Sequence, residues 1–228
     1  MKPAIHFHWG IIAALRNNDG SASIGVAGAI NGVSNGVFIV AGGSNFLRGM
    51  PWNGGSKVYT NQIQVLQRKD SQYNWVGEIT DTLPENIAYC GYTSTSKGIV
   101  CAGGENEKGL TDKAFLLNWD STENEIRITP LPDLPAPVTN VALTHRGDTV
   151  YAVGGEQGKN TTRGFYSMNI GEEHPRWKRL ADLPVPLANC AAVVQHNGQE
   201  EFLYVIGGRA KTPSGVSTLH PTTFAFDL

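Results

Sequence analysis

Four residues stand at the same place after a repeated glycine pair: Ser44, Glu105, Glu156 and Arg209. Two carboxylates and a guanidinium at repeated positions can exchange protons or hold an anion. Equally, each carboxylate can serve as a polar loop residue, and the arginine can pair with an acid of a neighbouring repeat unit. The longest of the loops after these pairs also carries Asn45, Arg48 and Trp52. Arg48 adds a cation, Asn45 an amide that can bond a ligand or its own turn, and Trp52 an indole that can stack on a flat ligand or cap its unit. Asn86, Asn140 and Asn189 recur just before small-residue segments, with the same two readings.

Other groups point to less. His6 and His8 alternate, so a strand would put them on one face, but two ligands without a third are a poor metal site, and no metal is expected. Asn160-Thr161-Thr162 fits a glycosylation acceptor, which informs only in a secreted chain. Cys90, Cys101 and Cys190 lie in apolar segments at unpatterned spacing. They read as small core residues in a reducing compartment rather than as a disulfide framework. There is no P-loop, dinucleotide fingerprint or Ser/His/Asp order.

The elements that must position these residues form a repeat. VFIVAGG (37–43), GIVCAGG (98–104), TVYAVGG (149–155) and FLYVIGG (202–208) are short β-branched runs without helical period, each ending in paired glycines. They are apolar on consecutive positions, as strands covered on both faces are. Their second glycines fall at 43, 104, 155 and 208, so the spacings are 61, 51 and 53. A small-residue strand precedes each: GVAGAI (25–30), IAYCGYT (87–93), TNVALT (139–144) and NCAAVV (189–194), joined by Asn/Gly/Asp-rich turns. A third strand follows at 57–66, 113–119, 164–170 and 222–228, and a fourth at 74–84, 125–135 and 176–184.

Four strands in about 50 residues is the grammar of a β-propeller blade. The expectation is an all-β chain of four-stranded antiparallel blades at 23–84, 87–135, 138–184 and, incomplete, 187–228. No helix should exceed about three turns. Residues 6–15 match a fourth strand that has no unit of its own: Trp9 to Leu15 is a step of six, as is Trp177 to Leu183. Two placements remain open. The segment completes the fourth blade in a small closed ring, or it belongs to a blade beyond these residues.

Composition narrows the function classes. The 228 residues are 40% hydrophobic and 17% charged, with 27 glycines and a net charge of −2. This is enough apolar material for a sizeable core. It argues against a strongly basic nucleic-acid binder or a polybasic membrane-surface protein. No apolar run approaches a membrane span, and MKPAIHFHWG lacks the pattern of a signal peptide. The expected location is cytoplasmic, or periplasmic if the true start lies upstream.

The grammar resembles kelch repeats. Within that class, residues 25–66 look like the propellers of the N-acetylneuraminate epimerase (sialic acid mutarotase) group, and closest to its cyclically permuted branch. The features are GVAGA, then VAGG followed by an Asn-Phe pair, then Trp-x-GG-x-K before a Tyr-bearing strand. The likeness continues through IAYCGYTSTSKGIVCAGGENEKGLTDKAFLL and is generic kelch after about residue 118.

The resemblance implies six blades, of which these residues supply roughly four, with the remainder expected beyond Leu228. The group's catalytic glutamate and nearby arginine would fall in the blade that residues 6–15 complete, so no catalytic residue carries over. The implied reaction is interconversion of the anomers of N-acetylneuraminate or a related sugar by acid/base catalysis, impaired in a truncated chain. It needs no cofactor. Asn45, Arg48, Trp52, Glu105, Glu156 and Arg209, on loops expected at one face of the propeller, are the candidate sugar contacts. Uncovered blade faces would allow an oligomer. The rival reading is a non-catalytic kelch module binding a protein or glycan through the same loops.

Overall fold

The computed structural model describes residues 9–17, 20–77, 81–212 and 214–228. They form an all-β arc of four antiparallel sheets. Blade 1 orders its strands Ile30–Ser34, Val37–Ala41, Ile63–Lys69 and Gln72–Trp75 from first to last. Blade 2 is Gly91–Thr95, Gly98–Ala102, Ala114–Asp120 and Glu125–Leu131. Blade 3 is Ala142–Arg146, Thr149–Val153, Phe165–Asn169 and Lys178–Arg179. Blade 4 has three strands: Ala191–His196, Glu201–Ile206 and Thr223–Asp227. The first strands of successive blades are neighbours and line the axis. Among the described residues the one helical element is a single 3-10 turn, Pro51–Asn53.

The second strands behave as their apolar runs require. Val37, Ile39 and Ala41 are buried against blade 2, while Ile99, Val100, Cys101 and Ala102 are covered on both faces. Three buried clusters join the four blades. Ile39, Val65, Leu117 and Trp119 lie in the first, Val100, Leu134, Leu143 and Val150 in the second, and Val153, Phe165, Leu187 and Leu203 in the third. Cys90 and Cys101 belong to the first cluster and Cys190 packs on the third. Burial pushes the Cys101 and Cys190 thiols up, so they are inert core groups.

Backbone bonds lock each junction in one repeated pattern. The second glycine's N–H donates to the segment leading into the next blade: Gly43 to Ile87 O at 2.7 Å, Gly104 to Val138 O at 2.7 Å and Gly155 to Leu187 O at 2.8 Å. In return, the N–H groups of Ile87, Val138 and Leu187 donate to Thr60, Thr111 and Thr162. Those of Leu83, Leu134 and Leu183 donate to Asn61, Asp112 and Arg163. The first glycine of each pair is left-handed, with φ +65°, +69°, +64° and +62° at Gly42, Gly103, Gly154 and Gly207. A Cβ at the first three would run into the carbonyl oxygens of Ile87, Val138 and Leu187. The glycine pair is therefore set by how closely the next blade approaches.

The structure corrects several strand limits. Residues 25–29, 87–90, 139–141 and 189–190 are not strand but the turn into it. There Gly28, Tyr89, Asn140 and Asn189 take φ +66°, +55°, +55° and +52°. Their backbones bond one to the next around the axis: Tyr89 N–H to Gly28 O, Asn140 to Tyr89 O and Asn189 to Asn140 O, at 2.8–3.1 Å. The left-handed residue is glycine in blade 1, tyrosine in blade 2 and asparagine in blades 3 and 4. In blade 1 the early part of the expected third strand pairs back on the residues after the glycine pair, and in blades 2–4 the loop before the third strand does so. The results are short hairpins: Ser44–Asn45 with Val58–Tyr59, Glu105–Asn106 with Gly109–Leu110, Glu156–Gln157 with Asn160–Thr161, and Arg209–Lys211 with Ser217–Leu219.

Of the segment 6–15, residues 6–8 lie outside the described residues. The rest does not ladder with Thr223–Asp227. Its end meets blade 1 instead: Trp75 Nε1 donates to Ala14 O at 2.8 Å and the Arg16 amide donates to Gln64 Oε1 at 3.0 Å, while Trp9 and Ile11 are exposed. Among the described residues no fourth cluster joins blade 4 back to blade 1, so the blades form an arc rather than a small closed ring.

The junction geometry yields a differential expectation. Gly154→Ala forces a Cβ into Leu187 O in addition to the left-handed cost and should destabilise by about 3 kcal/mol or more. Gly207→Ala meets nothing nearer than His220 O at 3.7 Å and should cost only about 1–2 kcal/mol. Thermal and urea melts of the two variants check the order; equal losses would remove the docking explanation of the pairs.

Candidate functional site

The residues after the glycine pairs sit at one equivalent position. Each forms an antiparallel bridge with the residue before the left-handed turn: Ser44 with Ala27, Glu105 with Ala88, Glu156 with Thr139 and Arg209 with Ala188. All four therefore share one end of the arc, where the lead-in turns and the short hairpins lie. Their chemistry differs by blade.

At blades 1 and 2 the hairpin strand Val58–Tyr59 reaches across to Glu105. Lys57 Nζ lies 2.9 Å from Glu105 Oε1 and the Tyr59 hydroxyl donates to the same oxygen at 2.9 Å. Lys57 also stands over the Tyr89 ring at 4.8 Å and the Tyr59 ring at 5.6 Å, two cation–π contacts. Ser44 Oγ donates to the Tyr89 hydroxyl at 3.3 Å. Lys57 and Glu105 both keep part of their surface in solvent. Burial raises the Tyr59 phenol, and its bond to Glu105 and that group's charge raise it further. Burial alone would lower the Lys57 ammonium, but the bond and charge of Glu105 outweigh it and hold Lys57 above the ordinary lysine value. At neutral pH Lys57 is an ammonium and Tyr59 a neutral phenol, both bonded to Glu105.

At blades 3 and 4 the carboxylate is spent. Glu156 is buried at 3% exposure, with Arg209 Nη2 and Lys211 Nζ each 2.7 Å from its oxygens. Arg209 Nη1 donates to Ser217 Oγ at 2.8 Å. With its carbonyl oxygen turned to the guanidinium, Asn189 accepts from Arg209 Nε at 3.0 Å and donates to Asn140 Oδ1 at 3.0 Å. Arg209 thus pairs with the neighbouring blade's acid, and the Asn140–Asn189 amides extend the axial rung in side chains.

The blade 1 loop is the exposed part of this end. Asn45 Nδ2 donates to Gly25 O at 3.3 Å and lines a groove with Val26, Leu47, Tyr59 and Gln64. Trp52 stands on the 3-10 turn at 76% exposure, beside exposed Leu47 and Met50. Arg48 is exposed and makes no hydrogen bond or ion pair with the described residues. Asn86 donates to Glu107, and Asn160 lies in the blade 3 hairpin. His6 and His8 lie outside the described residues. Among the described residues no group of three His, Cys, Asp or Glu is placed to hold a metal, and no helix is long and apolar enough to cross a membrane.

Lys57, Tyr59, Tyr89 and Lys211 are the partners that sequence reasoning missed. The signal for Lys57 and Tyr59 was present as Trp-x-GG-x-K and the Tyr-bearing strand after it. However, the meeting of Lys57 and Tyr59 with Glu105, like that of Lys211 with Glu156, crosses a blade junction.

No protein-family model matches the chain. It is 33% identical over 110 residues to the N-acetylneuraminate epimerase of Vibrio cholerae, covering 45% of this chain and 28% of that relative. It is 28% identical over 137 residues to Kelch repeat and BTB domain-containing protein 2 of Cowpox virus, covering 58% of this chain and 22% of the relative. The chain thus spans about a quarter of the length of these relatives. Among solved structures, the "Structure of YjhT" superposes with a TM-score of 0.65 at 16% identity, covering 85% of this chain and 62% of that one.

Two substitutions separate the carboxylates. Glu156→Gln leaves two cations facing each other and should cost about 3 kcal/mol; Glu105→Gln, part-exposed, should cost under about 1 kcal/mol. A urea series in which the order reverses would refute this division. The Lys57 contribution also has a pH signature. Its folded value is raised, so the contribution is complete below the ordinary 10.5 and is lost as pH rises through the folded value. Melting temperatures of wild type and Lys57→Met should differ at pH 8 and draw together as pH rises above the ordinary lysine value.

The repeat grammar, the junction geometry, these relatives and the structural likeness together make the chain a kelch-repeat β-propeller, similar in sequence to the N-acetylneuraminate epimerases and to kelch-repeat proteins.

Proposed function

We propose that the chain contributes the sugar-binding rim of a mutarotase acting on N-acetylneuraminate or a related acidic sugar. The observation that carries this reading is the Lys57–Tyr59–Glu105 cluster: a part-exposed carboxylate with a phenol and an ammonium on it, both supplied by the hairpin whose loop also carries exposed Arg48 and Trp52. Similarity to proteins named N-acetylneuraminate epimerase supports it. Opening the hemiketal moves a proton from the anomeric hydroxyl to a base while the ring oxygen gains one from an acid, and closing reverses both. Glu105 is the carboxylate able to take that proton, and Tyr59, kept neutral, is able to donate one. Arg48 and Lys57 suit the sugar carboxylate, Trp52 suits an apolar sugar face, and Asn45 suits hydroxyls. Glu156 and Arg209 serve this rim by holding blades 3 and 4 together. The net reaction is isomerisation and needs no cofactor.

A second reading has its own support. Leu47, Met50 and Trp52 are exposed together on one loop, as in protein-binding surfaces, and kelch-named relatives match more of the chain than the epimerases do. A binding module would use this loop without turnover.

Proton NMR of freshly dissolved N-acetylneuraminate with the purified chain separates the two. The enzyme reading expects anomer exchange above the buffer rate, slowed in Glu105→Gln and Tyr59→Phe. It also expects saturation-transfer signals weakened about tenfold in affinity, or ~1.4 kcal/mol, by Arg48→Ala or Trp52→Ala. Saturation transfer without exchange favours the module; neither signal sinks both sugar readings.

A further inference from the structure

Tyr89 is the odd member of the axial rung. Its counterparts are Gly28, Asn140 and Asn189, residue types that enter the left-handed region at little cost. A tyrosine does not, because its Cβ crowds the following carbonyl oxygen, yet Tyr89 sits at φ +55°. The rung asks nothing of its side chain. Tyr89 N–H donates to Gly28 O at 2.8 Å and Asn140 N–H donates to Tyr89 O at 2.9 Å, and the next step of the rung is made between two asparagines by the same backbone groups. An unfavourable conformation that the surroundings maintain points to what the side chain does there.

The side chain meets three residues of blade 1. Its ring lies against Gly28, where a Cβ would come 2.5 Å from Tyr89 Cδ1, so residue 28 leaves room for the ring. Its hydroxyl accepts from Ser44 Oγ at 3.3 Å, and Ser44 is buried. Its face carries Lys57 Nζ at 4.8 Å, nearer than the Tyr59 ring at 5.6 Å. Tyr59 follows Lys57 on the same short hairpin and moves with it, whereas Tyr89 is anchored in the backbone rung. A lysine carries its charge on a flexible aliphatic stem, so an ammonium held by Glu105 and its own hairpin alone can swing about that contact. The Tyr89 face restrains it from a second direction. In blade 4 the same rung position serves the backbone and the ion pair instead, with the Asn189 amide between Asn140 and Arg209.

We propose that Tyr89 is a positioning residue of the candidate site. Its ring, not its hydroxyl, holds the Lys57 ammonium at Glu105, where the cation is already in place for the carboxylate of an acidic sugar. Tyr89 acts through Lys57 rather than on the sugar itself. A carboxylate that arrives at a fixed ammonium gains the contact without first ordering the lysine. The consequence for binding rests on the sugar reading above, while the placement of Lys57 is a property of the free chain and is read separately.

The test uses the full chain as wild type, Tyr89→Phe and Tyr89→Asn. Phenylalanine keeps the ring. Asparagine is what blades 3 and 4 carry at this φ, and Tyr89→Gly, the blade 1 choice, replaces it if thermal melts show that Tyr89→Asn does not fold. In proton–carbon NMR of the free chain, the Lys57 ε-methylene signal, identified by its loss in Lys57→Met, should lie upfield under the ring current in wild type and in Tyr89→Phe. In Tyr89→Asn it should move toward the signals of exposed lysines. Saturation-transfer titration with N-acetylneuraminate should give Tyr89→Phe the wild-type affinity and Tyr89→Asn an affinity about fivefold weaker. Adding Tyr89→Asn to Lys57→Met should bring no further loss, because the two residues act as one unit. An unmoved Lys57 signal in Tyr89→Asn overturns the proposal, and so does full sugar affinity in that variant or a loss that persists on the Lys57→Met background. A Tyr89→Phe chain that behaves as Tyr89→Asn overturns it too, because the hydroxyl would then be the working group. A wild type that binds no sugar sinks the sugar reading alone, and the Lys57 signal then decides the positioning.

Discussion

The contact on which the arrangement rests is one backbone hydrogen bond, from the second glycine of each pair to the segment entering the next blade. It is short and buried in all three junctions, at 2.7–2.8 Å. A buried amide without a partner costs as much as a lost bond, so the bond fixes where the next blade sits. To make it, the chain must turn left-handed and let a carbonyl in where a Cβ would be. The glycine pairs follow from that requirement, and so does the tight stacking of apolar second strands. Leu83, Leu134 and Leu183 then fill the space under each junction and are buried at 1–4% exposure.

The same closeness decides what the loop charges can do. Glu105 and Glu156 occupy one blade position, yet their neighbours divide them. Glu156 meets two cations of the next hairpin in a buried site, where a carboxylate stays charged only with such partners. Glu105 meets a lysine and a phenol of the preceding hairpin at a part-exposed rim. A structural ion pair and a chemically available carboxylate thus arise from the same backbone, by the choice of side chains one blade away.

How much of this was legible follows from range. The second strands, their glycine pairs and the four-unit period are local patterns, and the fold class could be read from them. The left-handed turns at Tyr89, Asn140 and Asn189 were not legible as turns, because small and β-branched residues around them look like strand. Their conformation comes from the axial rung of backbone bonds, which exists only once blades are neighbours. The blade 1 hairpin was hidden likewise, since residues 57–60 continue the pattern of the third strand. At the site, Glu105, Glu156 and Arg209 were found by their repeated position. Lys57 and Tyr59 reach Glu105 from 48 and 46 residues away, and no local pattern encodes that meeting.

A repeat that contacts only its neighbours has a stability close to a sum of units and junctions. Among the described residues, four blades held by three junctions leave one donor face and one acceptor face unmatched, and each displays apolar residues next to unpaired backbone groups. Exposed apolar area of this kind is unfavourable in water, while the unpaired amides and carbonyls are satisfied there by solvent. Burying the face therefore helps only if the incoming surface also returns every hydrogen bond that water provided. That requirement excludes generic hydrophobic partners and favours a surface carrying the same lead-in: an apolar residue with both backbone groups free, followed by a small residue and a left-handed turn. The constraint that forces glycine pairs inside the arc is thus also the source of specificity at its ends.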